Sequence, residues 1–288
     1  AIEIPEPMPR LLDELRALLG SCGGAFDEFG VVLQEDDDAV WSYDAEHGAV
    51  SLGKRHVVAV WREALVEDDD ASTLATLLLS GDSYTAWNKR KANLVGATLP
   101  PLQTELRLNA AVLRRHGKAA SAWAHRRWCA AAAMRLETGT TAIRDAEFAL
   151  CASLAQRHPR NYAAWCHRAW LVGQESATGA RRELDWVIAW LRRSVTDYSA
   201  AHYATFVAAL LLAHDPASTV LDDLGAVRTE LAQQHAHLVT PGGAIAYLER
   251  SIARCALEHR RRLGAAAADA TTPWLRAAMA SRPILHAA

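Results

Sequence analysis

What the chain lacks narrows its class before any motif is read. No run reaches the roughly 20 apolar residues needed to cross a bilayer, so membrane insertion is not expected. The opening, Ala1-Ile2-Glu3-Ile4-Pro5-Glu6-Pro7, lacks the basic-then-apolar order of a secretory signal. It also lacks an initiator Met, as a fragment would, and Ile284–Ala288 hold no cysteine for lipid attachment. Five cysteines (Cys22, Cys129, Cys151, Cys166, Cys255) are odd in number and follow no disulfide-framework spacing, which favours a reducing, cytoplasmic setting. A net charge of −2 gives no general basic field, so nucleic acid is not an expected partner.

Signatures of self-contained catalysis are missing as well. His125 with Cys129, or Cys151, His158, Cys166 and His167, come nearest to a metal set. Neither shows the paired short spacings of a structural zinc site, and no His-Glu-x-x-His occurs, so no metal ligand is assigned. Gly20–Gly24 lacks the flanking strand and Lys-Ser/Thr of a phosphate loop. No nucleophile–base–acid set stands out, and Arg181-Arg182, Arg192-Arg193 and Arg260–Arg262 read as solvated helix faces.

What is present is a repeat. Asp82-Ser83-Tyr84-Thr85-Ala86-Trp87-Asn88-Lys89-Arg90 returns as Lys118-Ala119-Ala120-Ser121-Ala122-Trp123-Ala124-His125-Arg126-Arg127-Trp128. A third copy is Arg160-Asn161-Tyr162-Ala163-Ala164-Trp165-Cys166-His167-Arg168-Ala169-Trp170, and a worn fourth runs from Asp197 to Phe206. With the Trp position called w, the copies at Trp87, Trp123, Trp165 and Ala201 are spaced by 36, 42 and 36 residues. A period of that size marks stacked helical hairpins. Helical periodicity begins at Val57, and Asp68–Asp70 cap a helix carrying Leu74, Leu77 and Leu78. Hairpins then follow: Tyr84–Val95 with the helix opened by Pro100-Pro101 and closed by Gly117, a helix capped by Ser121 with Thr141–Arg157, one capped by Asn161 with Ala180–Val195, and Ala200–His214 with Leu221–His235. The domain reading is an irregular segment over 1–55, repeats over 56–262 with a faint fifth copy near 243–252, and a tail over 263–288. Glu35–Asp38 read as a solvated loop, Arg10–Leu19 as a short helix, and only residues 30–52 hint at strand alternation. Trp274 is a candidate to pin part of the tail.

On a helix w and w+5 lie about 140° apart, so the indoles of Trp87, Trp123 and Trp165 can fill the hairpin while Trp128, Trp170 and Phe206 face the next one. Tyr84, Tyr162 and Tyr198 at w−3 lie in the first turn with hydroxyls able to reach outward. Residues w+2 and w+3 stack into a cationic ladder: Lys89-Arg90, His125-Arg126, His167-Arg168. Either the ladder grips a partner, or each Arg pairs with an acid or carbonyl of the adjacent repeat and stiffens the array.

Tyr-x-x-Trp-x-x-Arg and Asn-Tyr-x-Ala-Trp-x-His-Arg-x-Trp resemble the repeats of protein prenyltransferase alpha subunits. The likeness covers roughly residues 55–255 and is strongest in the three middle motifs. It implies an all-α fold, a right-handed superhelix or crescent of helical hairpins that wraps a β subunit. The partner, expected to be of the Rab geranylgeranyltransferase type, would hold the zinc and the isoprenoid diphosphate, with no cofactor on this chain. The pair would transfer a geranylgeranyl group to a C-terminal cysteine of a client protein. The resemblance makes Lys118, five before its Trp, and Tyr162 accessory residues on the diphosphate side, a place where a cation suits a leaving group that gains negative charge. Lys118 can equally serve the C-terminus of the helix before it. Tyr84, Asn88, Arg90, His125, Arg126, Asn161, His167 and Arg168 become partner-binding candidates, with Trp87, Trp123, Trp128, Trp165 and Trp170 as repeat core. Departures are Ala120 and Ala163, where the family often has Tyr and His, and Ala201 and Ala204 in place of the fourth Trp and Arg. These losses favour scaffolding, and the alternative is a helical-repeat adaptor without transferase activity.

Overall fold

The computed structural model describes residues 10–33 and 39–263. The acidic run Glu35–Asp38 and the tail with Trp274 lie outside the described residues. The chain divides after His158 into two compact units.

The first unit opens with a helix where the sequence suggested a short one, and with a sheet in the stretch that only hinted at strands. Helix α1 (Leu11–Ser21) buries Leu12, Leu15 and Leu18. Its first amides, at Leu11 and Leu12, donate to the Glu63 carboxylate at 2.9 and 3.1 Å, so a distant acid replaces a local cap. Strands β1 (Glu28–Val32), β2 (Trp41–Asp44) and β3 (Ala49–Gly53) form a sheet in the order β1-β3-β2, with β1 parallel and β2 antiparallel to β3. These strands have four or five residues, too few for alternation to declare them, and docking completes them. The Trp41 indole donates to the Leu11 carbonyl at 3.0 Å, and Glu28 receives both guanidinium nitrogens of Arg157 at 3.0 Å.

Helices α2 (Val57–Val66), α3 (Asp70–Ser80), α4 (Tyr84–Asn93), α5 (Leu99–Arg115), α6 (Ala120–Leu136) and α7 (Ala142–Arg157) complete the unit. Asp69 and Ser72 form a reciprocal capping box on α3, and Ser83 caps α4. Ser121, expected from the sequence to cap α6, does not do so. Instead its amide donates to Asp82 at 2.7 Å, so the turn before α4 supplies the cap. The hairpin phase also differs from the sequence reading. α4 packs on α3 rather than α5, and α6 packs chiefly on α5, which makes the motif helix the second of its hairpin. Tight turns at 81–83 and 116–119 explain this. The indoles of Trp87 and Trp123 each donate across their turn, at 2.9 Å, to the carbonyls of Gly81 and Gly117.

The second unit holds α8 (Tyr162–Val172), α9 (Ala177–Arg193), α10 (Tyr198–His214), α11 (Val220–Gln234) and α12 (Ala244–Leu263). Asn161, Ser176 and Asp197 cap α8, α9 and α10. α10 packs most closely on α9 and α12, so the faint fifth copy lies on a full helix. Pro159 stands where the first two turns have Gly81 and Gly117. Arg160 then adopts φ 60°, and the buried Trp165 indole N–H has no hydrogen-bond partner. A proline ring fixes φ near −65°, so the positive φ that Gly81 carries in the first turn (32°) falls here on Arg160.

Candidate functional site: the repeat core and its exposed stripe

Each w residue is the fourth of its helix in α4, α6, α8 and α10, so the four copies are in register. Trp87, Trp123, Trp165 and Ala201 are buried. Trp128 and Trp170 are half-buried, and Lys91 of α4 sits 5.4 Å over the Trp128 ring, so Trp128 faces back toward the preceding motif helix.

The ladder's arginines and histidines are enclosed, whereas Lys89 stays exposed and pairs with Asp68 at 2.6 Å. Arg90 grips Glu105 by both Nε and Nη2 at 2.9 and 2.6 Å, Arg126 grips Glu147 at 2.8 and 2.5 Å, and Arg168 grips Glu183 at 2.5 and 3.0 Å. All six side chains are buried. Burial opposes charge on Glu105, but Arg90 and the His125 hydrogen bond outweigh it and hold the carboxyl at about 2. The partner-binding assignments for Arg90, His125, Arg126, His167 and Arg168 are therefore corrected: buried guanidinium and imidazole groups cannot reach another chain. Asn161 is corrected too, since it is fully buried and its Oδ1 caps α8.

The w+2 residue closes the network between successive motif helices. His125 hydrogen-bonds Glu105 at 2.8 Å and stacks on Trp87 with centroids 4.5 Å apart. In the worn copy Tyr203 does the same work. Its hydroxyl donates to Glu183 at 2.9 Å and its ring lies 5.2 Å from Trp165. The fourth motif has thus lost its own Arg and Trp while keeping the clamp that receives the third. Trp186 and Trp190 of α9 add further rings around Trp165, and the Arg168 guanidinium lies 3.5 Å over Trp186.

Those acids, and the paired histidines, escaped the sequence reading. Glu105, Glu147 and Glu183 each fall 18 residues before w, a recurrence visible in the chain. His116 and His158 fall seven before w. Each Nε2 donates at 2.8 Å to a carbonyl one repeat back, His116 to Leu78 and His158 to Arg114, because a carbonyl can only accept. Burial, with help from Arg115, pushes the His116 pKa down against the opposing Leu78 carbonyl.

Residues that can meet a partner occupy w−3 and w+1, four apart and so on one face. Tyr84 (71% exposed) and Asn88 lie on α4, Ala120 and Ala124 on α6, and Tyr162 (58% exposed) and Cys166 on α8. A hydrogen bond with the Cys166 thiol raises the Tyr162 hydroxyl above its ordinary pKa. Lys118 is exposed and lines an open cavity of about 420 Å³ with Arg115, His116 and His158. Asp82 at its edge is engaged by the Ser121 amide, and both imidazoles are turned to backbone carbonyls. Arg115 and Lys118 thus set its charge. Among the described residues no three His, Cys, Asp or Glu side chains are grouped to hold a metal ion, and no helix is long and apolar enough to cross a membrane.

Buried Arg–Glu pairs recurring in register between each motif helix and the helix that follows it define a helical-hairpin repeat protein of the all-α class. The kind of repeat follows from comparison. Residues 102–133 and 144–175 match the protein prenyltransferase alpha subunit repeat, each match running from a first helix into a motif helix (α5 into α6, α7 into α8). Those two segments are similar to that repeat. It is 42% identical over 82 residues to zebrafish (Danio rerio) "Protein prenyltransferase alpha subunit repeat-containing protein 1". That segment covers 28% of this chain and 18% of the relative's length.

Proposed function

We propose that this chain is the alpha-type subunit of a heterodimeric protein prenyltransferase, scaffolding a β subunit of the Rab geranylgeranyltransferase type. The catalytic zinc and the isoprenoid diphosphate belong to that partner, and the product is a client protein geranylgeranylated on a C-terminal cysteine. The carrying observation is the division of each motif helix into two faces. Arg90 in α4 and the w+2 and w+3 residues of α6 and α8 are buried within the array, while Tyr84, Asn88, Ala120, Ala124 and Tyr162 at w−3 and w+1 are exposed. Tyr84, Asn88 and Tyr162 are the partner contacts this reading assigns. Lys118, in a cavity whose uncommitted charges are cationic, stabilises the negative charge that develops on a departing diphosphate.

Co-expression with a Rab-type β subunit tests the reading. The expected result is a zinc-containing heterodimer that transfers geranylgeranyl to a cysteine-terminated protein. Lys118→Ala should slow turnover about 10–100-fold, as expected for one lost charged stabiliser, with assembly intact. An unchanged rate would return Lys118 to the C-terminus of α5. A second reading, an adaptor without transferase activity, is favoured by the burial of the ladder's arginines and histidines. It predicts no complex with any prenyltransferase β subunit.

A further inference from the structure

Between α10 and α12 lies a groove of about 440 Å³ that no step above uses. We propose that it binds a single-chain amphiphile with one anionic head group. This stands apart from the prenyltransferase reading, because every residue in it belongs to the second unit.

The floor and walls are apolar: Phe206, Ala209, Leu212 and Ala213 from α10, and Leu263 at the end of α12. Phe206 and Leu263 are exposed although both are large and apolar, so the groove leaves surface uncovered that a hydrocarbon chain would bury. Its volume falls in the range of small-ligand sites, about 300–1,000 Å³, and two helices bounding it give a long shape that suits a chain better than a compact ring system.

Charge at the rim selects the head group. Arg262 is already paired with Glu258 at 3.3 Å, and His259 is bonded to the Pro216 carbonyl at 3.0 Å. Arg254 has only a 3.5 Å bond to the Ser251 hydroxyl, and no carboxylate among the described residues pairs with it. An anion there completes Arg254, and the aliphatic part of the same molecule fills the groove. A neutral lipid leaves the guanidinium unmatched, and a second cation is repelled by it.

Cys255 lines the groove and serves as reporter. Burial raises its thiol pKa, so labelling is done at alkaline pH. Full-length protein is treated with iodoacetamide, and modification of the Cys255 peptide is followed by mass spectrometry, with palmitate held below its micellar limit. Palmitate at about ten times its dissociation constant should slow labelling about tenfold. Arg254→Gln should weaken that protection about tenfold, and hexadecanol should protect far less than palmitate. A parallel arm with dodecyl phosphate distinguishes carboxylate from phosphate heads, and preference for either supports the site. Calorimetric titration of palmitate into wild type and Ala213→Trp gives a measurement independent of the thiol, and circular dichroism checks that each variant folds. No heat and no protection would overturn the proposal. So would equal protection by hexadecanol, or a Cys255 fully shielded before any ligand is added, which would give the groove to another segment of the protein.

Discussion

Replacing Arg126 with Met takes the guanidinium away from both oxygens of Glu147, a carboxylate only 1% exposed. The same change strips the Leu106 carbonyl and Asn109 Oδ1 of donors now 2.9 and 3.2 Å away. An uncompensated buried charge costs about 3–5 kcal/mol. With a urea m-value of about 2 kcal/mol per molar, the midpoint of the first unit should fall by about 1.5–2.5 M. Glu147→Leu alone should cost a similar amount, because it strands the guanidinium instead. The double variant Arg126→Met/Glu147→Leu removes both charges and keeps the volume, so it should recover to within about 1 kcal/mol of wild type. Arg126→Lys should fall between, keeping charge but losing the two-pronged geometry. Urea titrations monitored by tryptophan fluorescence measure all four. Single variants costing under about 1 kcal/mol, or a double variant as unstable as either single, would refute a buried structural ladder.

Three further outcomes follow from the same packing. Glu105 titrates at about 2 when folded against an ordinary 4.5, so its contribution, about 3 kcal/mol, should be complete above that ordinary value and vanish as pH falls from it toward the folded one. Urea stability across that window should drop steeply in wild type and more shallowly in Glu105→Gln. Gly117→Ala would drive a methyl group into the His158 imidazole, and a thermal melt should show a loss of about 1–3 kcal/mol. Trp123→Phe removes the indole donor that bonds the Gly117 carbonyl whereas Trp165→Phe removes a donor that already lacks a partner, so calorimetry should find the first about 1 kcal/mol costlier.

Much of the helical array was legible because the signals were local. Caps at Asp68–Asp70 and Asn161, the Pro100-Pro101 start and the tight repeat gave helix starts close to those observed. Strands β1–β3 were legible only as a hint of alternation over residues 30–52, since segments of four or five residues carry little pattern and contacts such as Arg157 on Glu28 help hold them. Hairpin phase was misread because helix spacing alone does not say which neighbour a helix prefers, and the indole bonds across the 81–83 and 116–119 turns decide it. The ladder's fate turned on residues outside the motif. Once Glu105, Glu147 and Glu183 are seen to recur 18 before w, buried pairing becomes the natural expectation. Tyr203 was hidden differently, as a substitution that replaces an imidazole with a phenol and keeps the hydrogen bond.

The central claim is that the free face of the motif helices carries the partner. Size-exclusion chromatography with light scattering, on this chain co-expressed with a Rab-type β subunit, tests it most directly through the variant Tyr84→Glu/Asn88→Glu. Wild type should elute as a one-to-one complex, and the variant as separate chains with an unchanged melting temperature. A complex that survives both substitutions, or wild-type protein that never associates, would contradict the account.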